Sequence, residues 1–214
     1  MIEELLPDGV HAAEVVGDDP TAYLLPEEHA AVERAVERRR KQYTQARTCA
    51  RRALSALGLP EQPILRGPKR EPLWPNGIVG SITHCEGYCA AAVADRAGIR
   101  SVGIDAEVHD VLPPGVQRMV AVPAEQEWLA GAGDGLHWDR VLFSAKESVY
   151  KAWFPITGTW LGFQDAELTF DREGGFRARI LIEPPVVDGY RVDGFAGRYL
   201  VRDGLVLTSV VVPG

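Results

Sequence analysis

The 214-residue sequence predicts an α+β fold with mainly antiparallel sheets. Three observations carry this. Each half holds a long helical pattern. Short segments with strand character accompany the helix in each half. The second half is rich in hairpin turns, such as Glu173-Gly174-Gly175 and Asp203-Gly204.

In order along the chain, residues 1–25 read as loop-rich and acidic. Pro26 followed by Glu27 and Glu28 is a helix start, since proline fits the first turn and acids suit its positive end. A helix is expected from there to about Leu57, where Gly58 and Pro60 stop it. Residues 60–77 form a loop stiffened by prolines and Trp74. Strands are expected at 78–83, 88–94 and 101–107. Pro113 and Pro114 then break the chain. A short helix near 124–129 and a helix at 137–154 follow, then strands at 167–170, 176–182, 191–201 and 205–212.

The helix at 137–154 contains "FSAKESVYKAW". Trp138, Val141, Leu142, Ala145, Val149, Ala152 and Trp153 make one apolar face. Glu147 and Lys151 lie one turn apart. That spacing suits a surface ion pair, and it equally suits one edge of an active site.

Composition narrows the function. With 46% hydrophobic and 25% charged residues the chain is globular, and its net charge of −7 argues against a general nucleic-acid binder. The N-terminus lacks the basic and apolar regions of a signal peptide. No apolar run approaches the roughly 20 residues of a membrane span. Cys85 and Cys89 near His84 lack a second ligand pair for four-coordinate zinc, so reduced cytoplasmic thiols are expected. Neither a phosphate-binding P-loop nor a dinucleotide-binding glycine motif is present.

Two features suggest chemistry. Residues 38–52 carry seven basic residues and no acid, which fits either a solvated face or a polyanion site. In "VGIDAE", Asp105 and Glu107 share one face of a strand, where two carboxylates repel unless a cation joins them. Mg²⁺ takes such hard oxygen ligands together with phosphates, and Glu147 is available as a third carboxylate. Arg39, Arg47, Arg66, Lys69, Arg70, His84 and Lys151 add the cations that a polyphosphate needs.

Taken in order, "RGPKREPLWP" (66–75), "GSITHC" (80–85), "VGIDAE" (102–107) and "FSAKESVYKAW" (143–153) resemble the 4′-phosphopantetheinyl transferases of the surfactin and enterobactin type. "ARTCARRAL" (46–54) is similar to the family's arginine-bearing helix. The resemblance implies two similar α+β halves packed as a monomeric pseudo-dimer, 1–104 and 105–214, with coenzyme A between them. It implies transfer of phosphopantetheine to a serine of an apo acyl or peptidyl carrier protein, releasing 3′,5′-ADP. Asp105, Ala106, Glu107 and Glu147 are the implied Mg²⁺ site, with Mn²⁺ as an alternative ion. Asp105, Glu147 and Lys151 are the implied catalytic set, Lys151 standing beside the transferring phosphate. Thr83 and His84 are implied to meet the 3′-phosphate. Arg39, Arg47, Arg66, Gly67, Pro68 and Lys69 are implied to make further phosphate or adenine contacts, and Trp160 to line the pantetheine side. The general base is left open between Glu147, Lys151 and a metal-bound water.

One departure stands out. Arg70 occupies a position where the family often has glycine, so the loop at 66–70 is expected to bend differently. Because carrier proteins are usually acidic, like this chain, docking is expected to use apolar contacts with a local basic patch, from the 38–52 helix or Arg118. Two other readings share these residues: a Mg²⁺-dependent phosphoanhydride hydrolase, and a non-catalytic coenzyme A or carrier-protein binding module.

Overall fold

The computed structural model describes residues 1–133 and 135–214. Its strands are β1 (Val10–Val16), β2 (Ile78–Cys85), β3 (Tyr88–Asp95), β4 (Ile99–Val108), β5 (Ala166–Phe170), β6 (Gly175–Ile180), β7 (Val186–Val187), β8 (Tyr190–Arg191), β9 (Gly194–Arg202) and β10 (Leu205–Pro213). The α-helices are α1 (Glu37–Ala56), α2 (Val116–Val120), α3 (Pro123–Gly131) and α4 (Trp138–Thr157). The strands form antiparallel sheets of order β1-β3-β2 and β4-β10-β9-β6-β5, plus the small β7-β8 ribbon. The α+β class and the antiparallel pairing follow the sequence expectation.

One chain order occurs twice. β1 leads to a 3-10 turn at Pro26–Val32, then α1, then the β2–β3 hairpin. β4 leads to α3, which also starts at a proline, then α4, and later the β9–β10 hairpin. In each sheet the first strand pairs with the last, β1 with β3 and β4 with β10. The β5–β6 hairpin is an addition to the second unit. The order of elements is thus similar in the two sheets.

Several expectations are corrected. The segment from Pro26 to Leu57 is not one helix. Val36 is extended (φ −63°, ψ 155°) and separates the 3-10 turn from α1. Within the 3-10 turn the Glu28 carboxylate caps Leu25 N and pairs with Arg51 of α1. Strand β1 lies in the stretch read as loop, and α2 was not expected at all. The strand read at 191–201 is two pieces, β8 and β9.

Helix α4 buries Val141, Leu142, Ala145, Val149, Ala152 and Trp153 against the five-stranded sheet. Helix α1 buries Ala46, Cys49, Ala50, Ala53 and Leu54 against the three-stranded one. A third apolar cluster, including Ala90, Ala92, Ala94, Ile104 and Leu207, spans both sheets. There β2 and β4 lie side by side without a backbone ladder. The hydroxyls of Ser81 and Thr83 accept from the backbone N–H groups of Ile104 (3.1 Å) and Ala106 (2.9 Å) instead. The cleft containing the candidate site runs along this seam.

Candidate active site

Strand β4 and helix α4 place the acidic side of the site. Gly103 makes their approach possible. A Cβ there would stand 2.0 Å from the Ser148 carbonyl oxygen and 2.7 Å from the Ala152 nitrogen. No side chain fits, so β4 lies directly on α4 and Asp105 meets Lys151. Lys151 Nζ donates to Asp105 Oδ1 (2.7 Å) and to the Ile104 carbonyl (3.0 Å). The Glu147–Lys151 ion pair is not formed. The helix spacing that suited a surface bridge serves the site instead.

Asp105 is almost fully buried and further restrained. Ser144 Oγ donates to Oδ2 (2.8 Å) and Thr83 Oγ1 to Oδ1 (3.3 Å). Ser144 is itself set by Thr208, whose hydroxyl donates to the Ser144 carbonyl (2.9 Å). Ser144 and Thr208 are wholly buried, and sequence reasoning did not find them. Ser144 lies inside a recognised motif, while Thr208 carries no local signal because it reaches the site only through the β4–β10 pairing.

Glu107 Oε2 accepts from Arg140 Nη1 (2.9 Å), and the same guanidinium donates to the carbonyls of Asp110 and Val111. Burial and the charge of Asp105 raise the Glu107 carboxyl above its ordinary range, against the pull of Arg140. Burial also raises Glu147. Lys151 opposes that shift and Asp105 adds to it. Glu147 makes no hydrogen bond or ion pair among the described residues. Likewise, no three of their carboxylate, histidine or cysteine groups are gathered tightly enough to hold a metal ion. Ala106 keeps its N–H on Thr83 and its side chain in the core.

The opposite wall is basic. On α1, Arg39, Tyr43 and Arg47 repeat every fourth residue and so share one face. Arg39 Nη1 lies 2.8 Å from His84 Nε2 on β2. Guanidinium groups only donate, so His84 accepts here as a neutral imidazole. Burial and the Arg39 charge both lower its pKa, in agreement. Arg47 is buried, donates through Nε to the Ile64 carbonyl (2.6 Å), and lies over the Tyr43 ring at 4.3 Å. Arg66 faces the same ring at 5.9 Å.

The polyanion reading of the 38–52 run is corrected in part. Arg38, Lys41, Arg51 and Arg52 are paired with Glu86, Asp18, Glu28 and Asp19. Arg39, Arg47 and Arg66 have no carboxylate partner among the described residues.

The 66–70 loop does not depart from a glycine-like path. Arg70 itself takes φ 72°, and Gly67 accepts its N–H in a tight turn (2.9 Å). A Cβ at Gly67 would meet the Glu71 carboxylate at 2.1 Å, so that side chain would have to swing aside. After exposed Pro68 the turn carries Lys69 across to α4, with Nζ near the Gly158 carbonyl (3.4 Å) and over the Phe154 ring (5.1 Å). Lys69, Trp74, Ser81, Tyr150, Lys151 and Phe154 line a cleft of about 540 Å³. Trp160 is 72% exposed, so it is not core, and it packs on Tyr150 at 4.8 Å beside Glu147.

Two family models match the chain: the 4′-phosphopantetheinyl transferase N-terminal domain over residues 27–94, and the 4′-phosphopantetheinyl transferase superfamily over residues 101–200. The chain is 51% identical to 4′-phosphopantetheinyl transferase Svp of Streptomyces mobaraensis, over 99% of this chain and 89% of that one. It is 49% identical to 4′-phosphopantetheinyl transferase PptT of Mycobacterium tuberculosis, over 94% and 91%. It is 33% identical to enterobactin synthase component D of Escherichia coli, over 69% and 73%. With both halves matched and the carboxylate, lysine and arginine groups meeting along one seam, the chain belongs to the 4′-phosphopantetheinyl transferase family.

Proposed function

We propose that the protein transfers 4′-phosphopantetheine from coenzyme A to a serine hydroxyl of an apo acyl or peptidyl carrier protein, releasing 3′,5′-ADP. The observation that carries this is the division of charge along the seam. Carboxylates and Lys151 stand on one wall, and arginines without carboxylate partners stand on the other. Coenzyme A needs both, because it carries a diphosphate and a separate 3′-phosphate.

The donor set suits a hard divalent cation. Asp105, Glu107 and Glu147 offer only oxygen, and the latter two carry raised pKa values that an added cation would relieve. Mg²⁺, with Mn²⁺ as substitute, would be held by these three with Ala106 between the strand ligands, and would neutralise the diphosphate. Lys151, fixed by Asp105 and Ile104, supplies a positive charge beside the phosphate that is attacked. Its protons are already donated to two acceptors, which disfavours it as the base. Glu147 lines the space beside Trp160 and makes no hydrogen bond or ion pair among the described residues, which leaves a carboxylate oxygen for the role of base. It accepts the serine proton as the hydroxyl oxygen bonds to phosphorus and the 3′,5′-ADP oxygen leaves. The space beside Trp160 and Tyr150 takes the pantetheine arm.

No helix among the described residues is long and apolar enough to cross a membrane. A cytoplasmic monomer of two units completes the proposal, with the boundary drawn before β4 at 96–98, since the expected division into 1–104 and 105–214 would cut that strand. The carrier docks beside exposed Arg118 and Met119 on α2.

The test is intact-mass spectrometry of an apo carrier protein incubated with the enzyme, coenzyme A and Mg²⁺. A single phosphopantetheine gain is expected, abolished by EDTA. Glu147→Gln should slow it by about 10²-fold or more, the usual share of a positioned base. Release of 3′,5′-ADP without carrier modification would favour the hydrolase reading. Coenzyme A binding with neither product would favour a binding module.

A further inference from the structure

Tyr43 stands out because its chemistry is incomplete. The residue is 5% exposed, and among the described residues its hydroxyl is buried with no hydrogen-bond partner. A buried hydroxyl without a partner is destabilising, so such groups rarely persist without a purpose. Sequence periodicity marks Tyr43 only as an apolar position on α1. A phenylalanine would serve that role without the cost.

The neighbours define what is missing. Arg47 and Arg66 flank the ring, and Arg39 lies one turn away on the same face. Guanidinium groups donate and cannot accept. Even a direct approach by Arg47 to the phenol oxygen would leave the O–H proton without an acceptor. The absent partner is therefore an acceptor, and three arginines lacking carboxylates favour an anion in that place. The diphosphate has its own place at Lys151 and the carboxylates, so the 3′-phosphate remains.

We infer that the Tyr43 hydroxyl donates a hydrogen bond to the 3′-phosphate of coenzyme A and helps the enzyme select that substrate over forms lacking this phosphate. This rests on the transferase reading above. The ring has a second task. Its face holds Arg47 and Arg66 in place, so hydroxyl and ring are separable by substitution.

The experiment is calorimetric titration of the full chain in Mg²⁺ with coenzyme A and with 3′-dephospho-coenzyme A, for wild type and Tyr43→Phe. Phenylalanine keeps the ring, and thermal denaturation checks that the variant is folded. Tyr43→Phe should weaken coenzyme A by about 10- to 100-fold, the worth of one hydrogen bond to a charged group, and leave the dephospho form unchanged. Equal weakening of both ligands would overturn the assignment, since the hydroxyl would then act elsewhere on the molecule. No weakening of either would also overturn it and leave an ordered water as the partner. Wild-type protein that binds neither ligand would sink the transferase reading itself, a result separate from the variant's.

Discussion

The two halves solve one structural problem with the same device and then diverge. In the first, Glu28 caps its turn through Leu25 N (2.9 Å), accepts from Ile64 N (2.9 Å) and pairs with Arg51 of α1 (2.6 Å). In the second, Glu125 caps α3 through Val122 N (2.8 Å), accepts from Leu168 N (2.7 Å) and pairs with Lys146 of α4 (2.7 Å). All four charged residues are buried. Each glutamate joins a proline-started turn, the long helix and a distant backbone segment. The cleft-facing residues share no such likeness. The first half turns arginines to the seam and the second turns carboxylates. The supporting frame is thus alike in the two halves, while their cleft-facing charges are opposite.

Breaking the shared device should produce the largest effects. Arg51→Met and Lys146→Met each leave a buried carboxylate unpaired, and each should cost about 3–5 kcal/mol in urea denaturation. Lys146 should be the more costly, because Nζ also donates to the carbonyls of Val120, Phe163 and Ala166. A loss under 1 kcal/mol at either site would show that the two pairs are not equivalent supports.

Ser144→Ala sharpens the difference between the halves, since no counterpart of the Ser144–Thr208 support was found on α1. Its stability cost should be modest, about 1 kcal/mol. The informative readout is Mn²⁺ binding followed by electron paramagnetic resonance. A weakening of about fivefold or more is expected once Asp105 loses its Oδ2 donor, by analogy with residues that orient metal ligands. Unchanged Mn²⁺ affinity would reduce Ser144 to a packing role.

The smallest effect concerns the loop special to the first half. Arg70 is left-handed at φ 72°, a conformation that glycine adopts freely. Arg70→Gly should raise stability by about 0.5–1 kcal/mol in thermal denaturation without moving Lys69. Destabilisation would mean that the Arg70 side chain makes a compensating contact.

These comparisons explain how far the sequence could be read. Helix α4 was legible because its apolar face repeats at helical spacing. Asp105, Glu107, Glu147 and Lys151 were legible because their motifs are short and contiguous. The paired supports were not. Glu28 and Arg51 are 23 residues apart, Glu125 and Lys146 are 21, and each looks like an ordinary surface charge until the fold buries it. Lys146 and Glu147 are adjacent in sequence, yet one enters the core and the other the cleft. The helix break at Val36 was hidden as well, since no glycine or proline marks that position. Residue 70 misled in the opposite direction. Its side chain argued against a backbone shape that the surrounding turn nonetheless imposes.

The seam between β2 and β4 has a consequence for separability. The Arg96–Gly98 connection lies between β3 and β4, so a chain divided there would keep every strand entire. The two pieces would meet through a shared apolar cluster, the hydroxyls of Ser81 and Thr83, the Arg202–Glu4 pair and the Ser209–Leu5 hydrogen bond, with no β-ladder to re-register. Fragment complementation is thus built into the architecture. Its strength would be adjustable at side chains such as Ser81 and Thr83, whose hydroxyls take no part in either piece's own sheet pairing.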